Sequence, residues 1–134
     1  MIMTLSQWII RLNAVFFVLY GLAFMFVPEA TLYWVTGSVM NTASAIIDTR
    51  ATYGGMSLAI GLLLFYFSIK PVYEKLGLIF VMLIMGNMAL GRSLGILLEG
   101  EPNPIMWLFL IGEVITLLIS AWLLRRPEPK TQLG

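Results

Sequence analysis

Three ionisable side chains stand where an apolar sequence would otherwise have none: Arg50, Arg92 and Glu113, with Asp48 just before Arg50. A charge in hydrocarbon is costly, so such residues face the interior of a helix bundle and pair with one another. A guanidinium presents its donors as a planar fork that fits a carboxylate or phosphate bidentately. Two guanidiniums against one carboxylate leave a local charge of +1, or near zero if Asp48 joins. Three uses are open to such a cluster. Glu113 can bridge both arginines, so that the trio only locks the bundle. The surplus guanidinium can hold the headgroup of an anionic lipid or metabolite. Glu113 can also carry a proton or ion path, although no second carboxylate lies deep in the other half of the membrane.

The elements that position these groups are four apolar runs: about Trp8 to Val27, Ala51 to Ile69, Leu76 to Leu98 and Pro104 to Leu124. Each has the ~20 residues that a helix needs to cross a hydrocarbon layer roughly 30 Å thick. Proline marks their ends and starts, at Pro28, Pro71, Pro104 and Pro127, as helix punctuation requires. Barrel strands would alternate apolar and polar residues at every second position, and these runs do not. The composition agrees. Apolar residues make up 60% of the chain and charged residues 11%, against roughly 45–50% and 25% in soluble domains. The expected fold is an all-α, integral membrane four-helix bundle over residues 1–126, followed by a flexible tail over 127–134. The first run is too long for a signal core and follows no basic cluster, so it reads as an uncleaved span.

Helix rise fixes the depth of each charge. Arg92 lies seven residues before Glu99, so about 10 Å below that end of its helix. Glu113 lies nine residues after Pro104, so about 13 Å below the same face. Arg50, at the start of the second run, reaches inward on its long stem. The three are therefore expected to converge in one half of the bilayer. Small and polar residues accompany them. Arg50, Tyr53, Gly54, Ser57 and Gly61 fall on one face of an ideal α-helix, as do Glu113, Thr116 and Ser120, while Asn87, Gly91 and Gly95 line up beside Arg92. The glycines are expected at helix–helix contacts. The candidate ligand-binding set is Arg50, Tyr53, Asn87, Arg92 and Glu113. Arg11 is expected to snorkel to headgroups, Asn13 to bond a neighbouring helix, and the Met and Phe residues to pack or meet lipid. The segment from Pro28 to Asn41, with Leu32, Tyr33, Trp34 and Val35, is expected to lie in the headgroup layer, anchored there or acting as a lid.

Other classes are narrowed by what the chain lacks. With neither cysteine nor histidine, no disulfide forms within it and no thiolate or imidazole holds haem, zinc or an iron–sulfur cluster. No cofactor is expected. The net charge of +1 gives a nucleic-acid partner no footprint. No nucleophile–base pair, metal-ligand set or phosphate loop stands out, so the protein reads as a non-enzymatic binding or accessory protein. The other reading is a subunit of an oligomeric transporter or channel, since four helices rarely enclose a pathway alone. The partners expected are the lipid bilayer, an anionic lipid or small anion, and a second copy or a larger membrane complex.

The run Arg50-Ala-Thr-Tyr53-Gly54-Gly55-Met-Ser-Leu58-Ala-Ile-Gly61, followed one helix later by Asn87 and Arg92, resembles an uncharacterised bacterial family of small four-helix membrane proteins. The likeness extends over most of the chain and is sharpest in this segment. It implies a fold and a membrane location but no reaction. Lys70, Lys75, Arg125, Arg126 and Lys130 cluster at one side, and Glu29, Asp48, Glu99 and Glu101 at the other. The basic side should be cytoplasmic, so the expectation is a multi-pass protein of the cell inner membrane with both termini in the cytoplasm. A reporter enzyme fused after Gly134 is expected to read out as cytoplasmic; an external readout would overturn this topology.

Overall fold

A computed structural model describes residues 3–126, so the expected tail, 127–134, lies outside the described residues. The described chain is all-helical: α1 (Leu5–Phe26), α2 (Pro28–Thr36), α3 (Ala43–Thr49), a π-helical segment (Arg50–Met56), α4 (Ser57–Ile69), a 3-10 turn (Pro71–Tyr73), α5 (Glu74–Glu99) and α6 (Pro104–Leu124). Helix α3, the π segment and α4 run on as one rod, Ala43–Ile69. Four helices are long and apolar enough to cross a membrane: Leu5–Phe26, Ala43–Ile69, Pro71–Glu99 and Pro104–Leu124. The molecule is a multi-pass membrane protein.

Local chemistry sets the helix ends. Thr4 and Gln7 form a reciprocal capping box, with Thr4 Oγ1 accepting from the Gln7 amide at 3.1 Å and Gln7 Oε1 from the Thr4 amide at 3.2 Å. Thr42 caps α3 and Asn103 caps α6, each accepting from an amide three residues on. Gly37 and Gly100 end α2 and α5 at φ of 78° and 96°, where a Cβ would be strained. Helix α2 occupies the segment expected in the headgroup layer. It exposes Tyr33 and Trp34 and buries Pro28 and Val35.

The second span starts earlier than its hydropathy indicates, at Ala43 rather than near Ala51. The Thr42 cap begins the helix within a polar stretch that an apolar pattern does not reveal. Arg50 is therefore seven residues inside the rod.

Helix α1 packs most extensively on α4 and the π segment, and α5 on α6. Glycine makes the first contact close. A Cβ on Gly21 would sit 2.5 Å from the Leu58 amide nitrogen, one on Gly54 would sit 2.9 Å from that of Met25, and one on Gly61 would sit 2.7 Å from that of Val18. Gly54 and Gly61 are thus at the expected helix contact. Gly55 is not: its nearest neighbour is the Arg50 carbonyl oxygen at 3.9 Å, within its own segment. Gly91 and Gly95 also mediate no close approach, because an added Cβ at either meets nothing within 4 Å.

The apolar core is off-centre. Ile10, Ala14, Phe17, Leu64, Phe67, Leu78, Val81, Met85 and Leu123 bring all four spans together. These residues lie in the half of the bundle holding the start of α1 and the end of α6. The other half, roofed by α2, contains Arg50, Arg92 and Glu113. Leucine at Gly21 or Gly54 is expected to destabilise the detergent-solubilised protein by ~1–3 kcal/mol, the usual cost of overpacking. Leucine at Gly55 or Gly91 should leave thermal unfolding near that of the parent. Equal melting of all four variants would refute the close crossing.

Candidate functional site

Arg92 and Glu113 meet across the α5–α6 pair as expected. Arg92 Nη2 donates to Glu113 Oε1 at 2.7 Å, and Nε donates to Oε2 at 3.1 Å and Oε1 at 3.2 Å. The side chains are 17% and 5% exposed. Nη1 lies 3.0 Å from the Met106 sulfur, and the guanidinium carbon is 5.3 Å from the Phe109 ring centroid. Such a fork satisfies most of the donors and acceptors that a buried ion pair must satisfy to persist in a low-dielectric setting. Glu113, on the same α6 face as buried Ser120, is where helical spacing puts it.

Arg50 does not join them, which corrects the expected convergence. Its Nη1 donates to the backbone carbonyl of Met25 in the last turn of α1, and its side chain is otherwise exposed. The π segment packs on α1, α3 and α4, whereas Glu113 belongs to the α5–α6 pair. Arg50 instead satisfies one of the carbonyls that a helix C-terminus leaves free, and a cation is favourable there. It has no ion pair among the described residues, and neither has Asp48.

Tyr53 is half exposed, with its ring stacked on Phe24 at 5.3 Å between centroids. Tyr20, absent from the expected set, connects it to the ion pair. Its ring lies 4.8 Å from Phe24 and 6.4 Å from Phe109, and its hydroxyl lies in the electrostatic field of Tyr53, Arg92 and Glu113. The i, i+4 series Phe16, Tyr20, Phe24 is the sequence signal for this wall. Within a wholly apolar run it is indistinguishable from ordinary packing.

Asn87 donates to the Leu83 carbonyl of its own helix at 2.8 Å. It lines, with Gly91, Arg92, Gly95, Glu99 and Glu101, a groove of about 450 Å³ near the α5–α6 loop. The glycines thus make room here instead of drawing helices together. A second groove, of about 470 Å³, runs between α1 and α6 beneath α2, lined by Phe16, Tyr20, Ala23, Trp34 and Phe109 among others. Asn103 donates to the Val35 carbonyl at 3.0 Å and so ties α2 to the start of α6. Arg11 does not simply snorkel: it bonds Ser68 near the end of α4, Nε to Oγ at 3.4 Å. Asn13 bonds Ile9 of its own helix rather than a neighbour.

The Arg92–Glu113 pair yields a direct test. Glu113→Gln strands a buried guanidinium and is expected to cost about 3 kcal/mol or more, while the Glu113→Gln, Arg92→Met double variant should cost less than the sum of the singles. Additive losses in thermal stability would show that the two are not coupled.

The arrangement stores charge and aromatic surface in one half of a membrane bundle, and no group of metal-binding residues is found among the described residues. No curated protein and no solved structure matches the chain. The family model for a domain of unknown function (DUF4345) matches residues 5–124, nearly the whole four-span bundle. The chain belongs to the DUF4345 family.

Proposed function

We propose that this is a non-enzymatic binding or accessory protein of the bacterial inner membrane, which holds an anionic headgroup at Arg50 on the outer side. The observation carrying this reading is the division of charge. Glu113 neutralises Arg92, whereas Arg50 makes a single hydrogen bond among the described residues, to Met25, and is otherwise exposed. The distribution of lysine and arginine favours both termini in the cytoplasm, and with that orientation Arg50, α2 and the two grooves face the periplasmic leaflet. A phosphate or carboxylate there can take the remaining donors bidentately.

The packing also favours binding over passage. The four spans converge on the core between Ile10 and Leu123 in the half assigned to the cytoplasm, so a single chain has its open half on one side. A transporter or channel subunit would have to form its path between copies.

Purification in mild detergent from a membrane rich in phosphatidylglycerol, followed by native mass spectrometry, tests the proposal. The parent should retain an anionic phospholipid. Arg50→Gln should lose it at least tenfold, while the Glu113→Gln, Arg92→Met double variant should keep it. Displacement by inorganic phosphate would indicate a soluble anion as the ligand. Equal retention by Arg50→Gln, or a defined ring of protomers without bound anion, would overturn the reading.

A further inference from the structure

The groove between α1 and α6 has a different chemistry from Arg50 and lies on a different side of α1. Phe16, Tyr20 and Ala23 recur three or four residues apart and share one helical face. Gly21 and Met25, which touch the rod, face roughly the opposite way. The lining of the groove, from Phe16 and Leu19 to Val35 and Phe109, contains no charged residue. Its volume of about 470 Å³ falls within the ~300–1,000 Å³ typical of small-molecule sites.

Three observations indicate what occupies it. The groove opens sideways within the membrane-spanning depth of α1 and α6, so the medium that reaches it is hydrocarbon. It has a fixed roof: α2 lies over it through Trp34 and Val35, and Asn103 holds the Val35 carbonyl. Its wall carries three polar side chains: Thr31, whose hydroxyl donates to the Val27 carbonyl, Trp34, which is largely exposed, and Tyr20, whose hydroxyl makes no hydrogen bond among the described residues although it lies in the field of the Arg92–Glu113 pair. A phenol that meets hydrocarbon without a partner is unfavourable, and a ligand head that bonds it gains accordingly.

We infer that this groove seats the hydrocarbon chain of a neutral single-chain amphiphile, whose hydroxyl or carbonyl head bonds Tyr20. The absence of charge in the lining selects against an ionic head, and the aromatic walls favour a chain that lies flat against rings. This site is independent of the anion at Arg50.

The probe is hexadecan-1-ol bearing a chain diazirine, applied to the full-length protein in phosphatidylcholine vesicles and mapped by peptide mass spectrometry. Saturable labelling is expected at Phe16, Tyr20, Ala23 and Phe109, competed by unlabelled hexadecan-1-ol, with only background labelling at Leu62, Leu90 and Leu118, which are more exposed than any of them. Ala23→Phe, which fills the groove, should abolish the saturable part. Tyr20→Phe should weaken the alcohol about fivefold, the size of one net hydrogen bond, and leave competition by hexadecane unchanged. Arg50→Gln should have no effect, so this site can fail or stand apart from the anion site. Uniform, non-saturable labelling, or cross-linking of α1 to a second copy in place of lipid, would overturn the proposal. Circular dichroism and melting of each variant verify that the bundle is intact; if Ala23→Phe unfolds, the Tyr20→Phe alcohol-to-alkane comparison decides alone.

Discussion

A carboxylate and a guanidinium cannot be left singly in hydrocarbon, and the meeting of Glu113 with Arg92 settles how α5 stands against α6. Two charge-assisted contacts on Nε and a third on Nη2 fix rotation about both helix axes as well as their separation. The small residues on α5 near Arg92 are thereby freed from packing: Gly91 and Gly95 border a groove instead of a partner helix. The same pair consumes the acidic group that Arg50 would otherwise compete for. Arg50 is left to the end of α1, where it holds the carbonyl of Met25 and links that helix to the rod.

The molecule is therefore two helix pairs made by different means. Contact between α1 and the rod depends on missing side chains, with Gly21 and Gly54 letting backbones meet where lipid exerts no hydrophobic pressure. Contact between α5 and α6 includes a buried charge pair. The two pairs join through an apolar core confined to one half of the bundle, from Ile10 to Leu123. Away from that core the pairs have less in common, and the aromatic series Phe24, Tyr20 and Phe109 fills the seam between them.

Much of this is legible from the residues alone because a bilayer demands so much of a sequence. The fourth span appears at Pro104–Leu124, where proline and the run of apolar residues delimit it. The pairing of Arg92 with Glu113 follows from depth arithmetic, since both helices enter from one face and their rise is constant. Arg50 is where that arithmetic fails, and the backbone explains why. The face drawn through Arg50, Tyr53, Gly54, Ser57 and Gly61 assumes 100° per residue, but Arg50–Met56 is π-helical. A bond from residue i to i+5 widens the turn and changes the angular step. Gly54, Ser57 and Gly61 do face inward, while Arg50 and Tyr53 do not. No propensity scale marks that change of register. Tyr20 escaped for another reason: an aromatic residue in an apolar run carries no signal until its neighbours in space are known.

Unequal span lengths follow from this architecture and bear on the membrane it inhabits. The spans hold 22, 27, 29 and 21 residues in chain order, or about 33, 40, 43 and 31 Å of helix. Each tight pair thus joins a short helix to a long one. Against a hydrocarbon layer of roughly 30 Å the short members match with little adjustment, while the long ones must tilt or project. Tilting is restrained by packing to the short partner, so the surplus turns project from the bundle: those of the rod at the end that carries Asp48, and those of α5 at the opposite end, beside Lys70 and Lys75. Bilayer thickness consequently sets how far Arg50 stands from the lipid phosphates. A thicker membrane would draw the rod's upper turns, and that guanidinium with them, toward hydrocarbon.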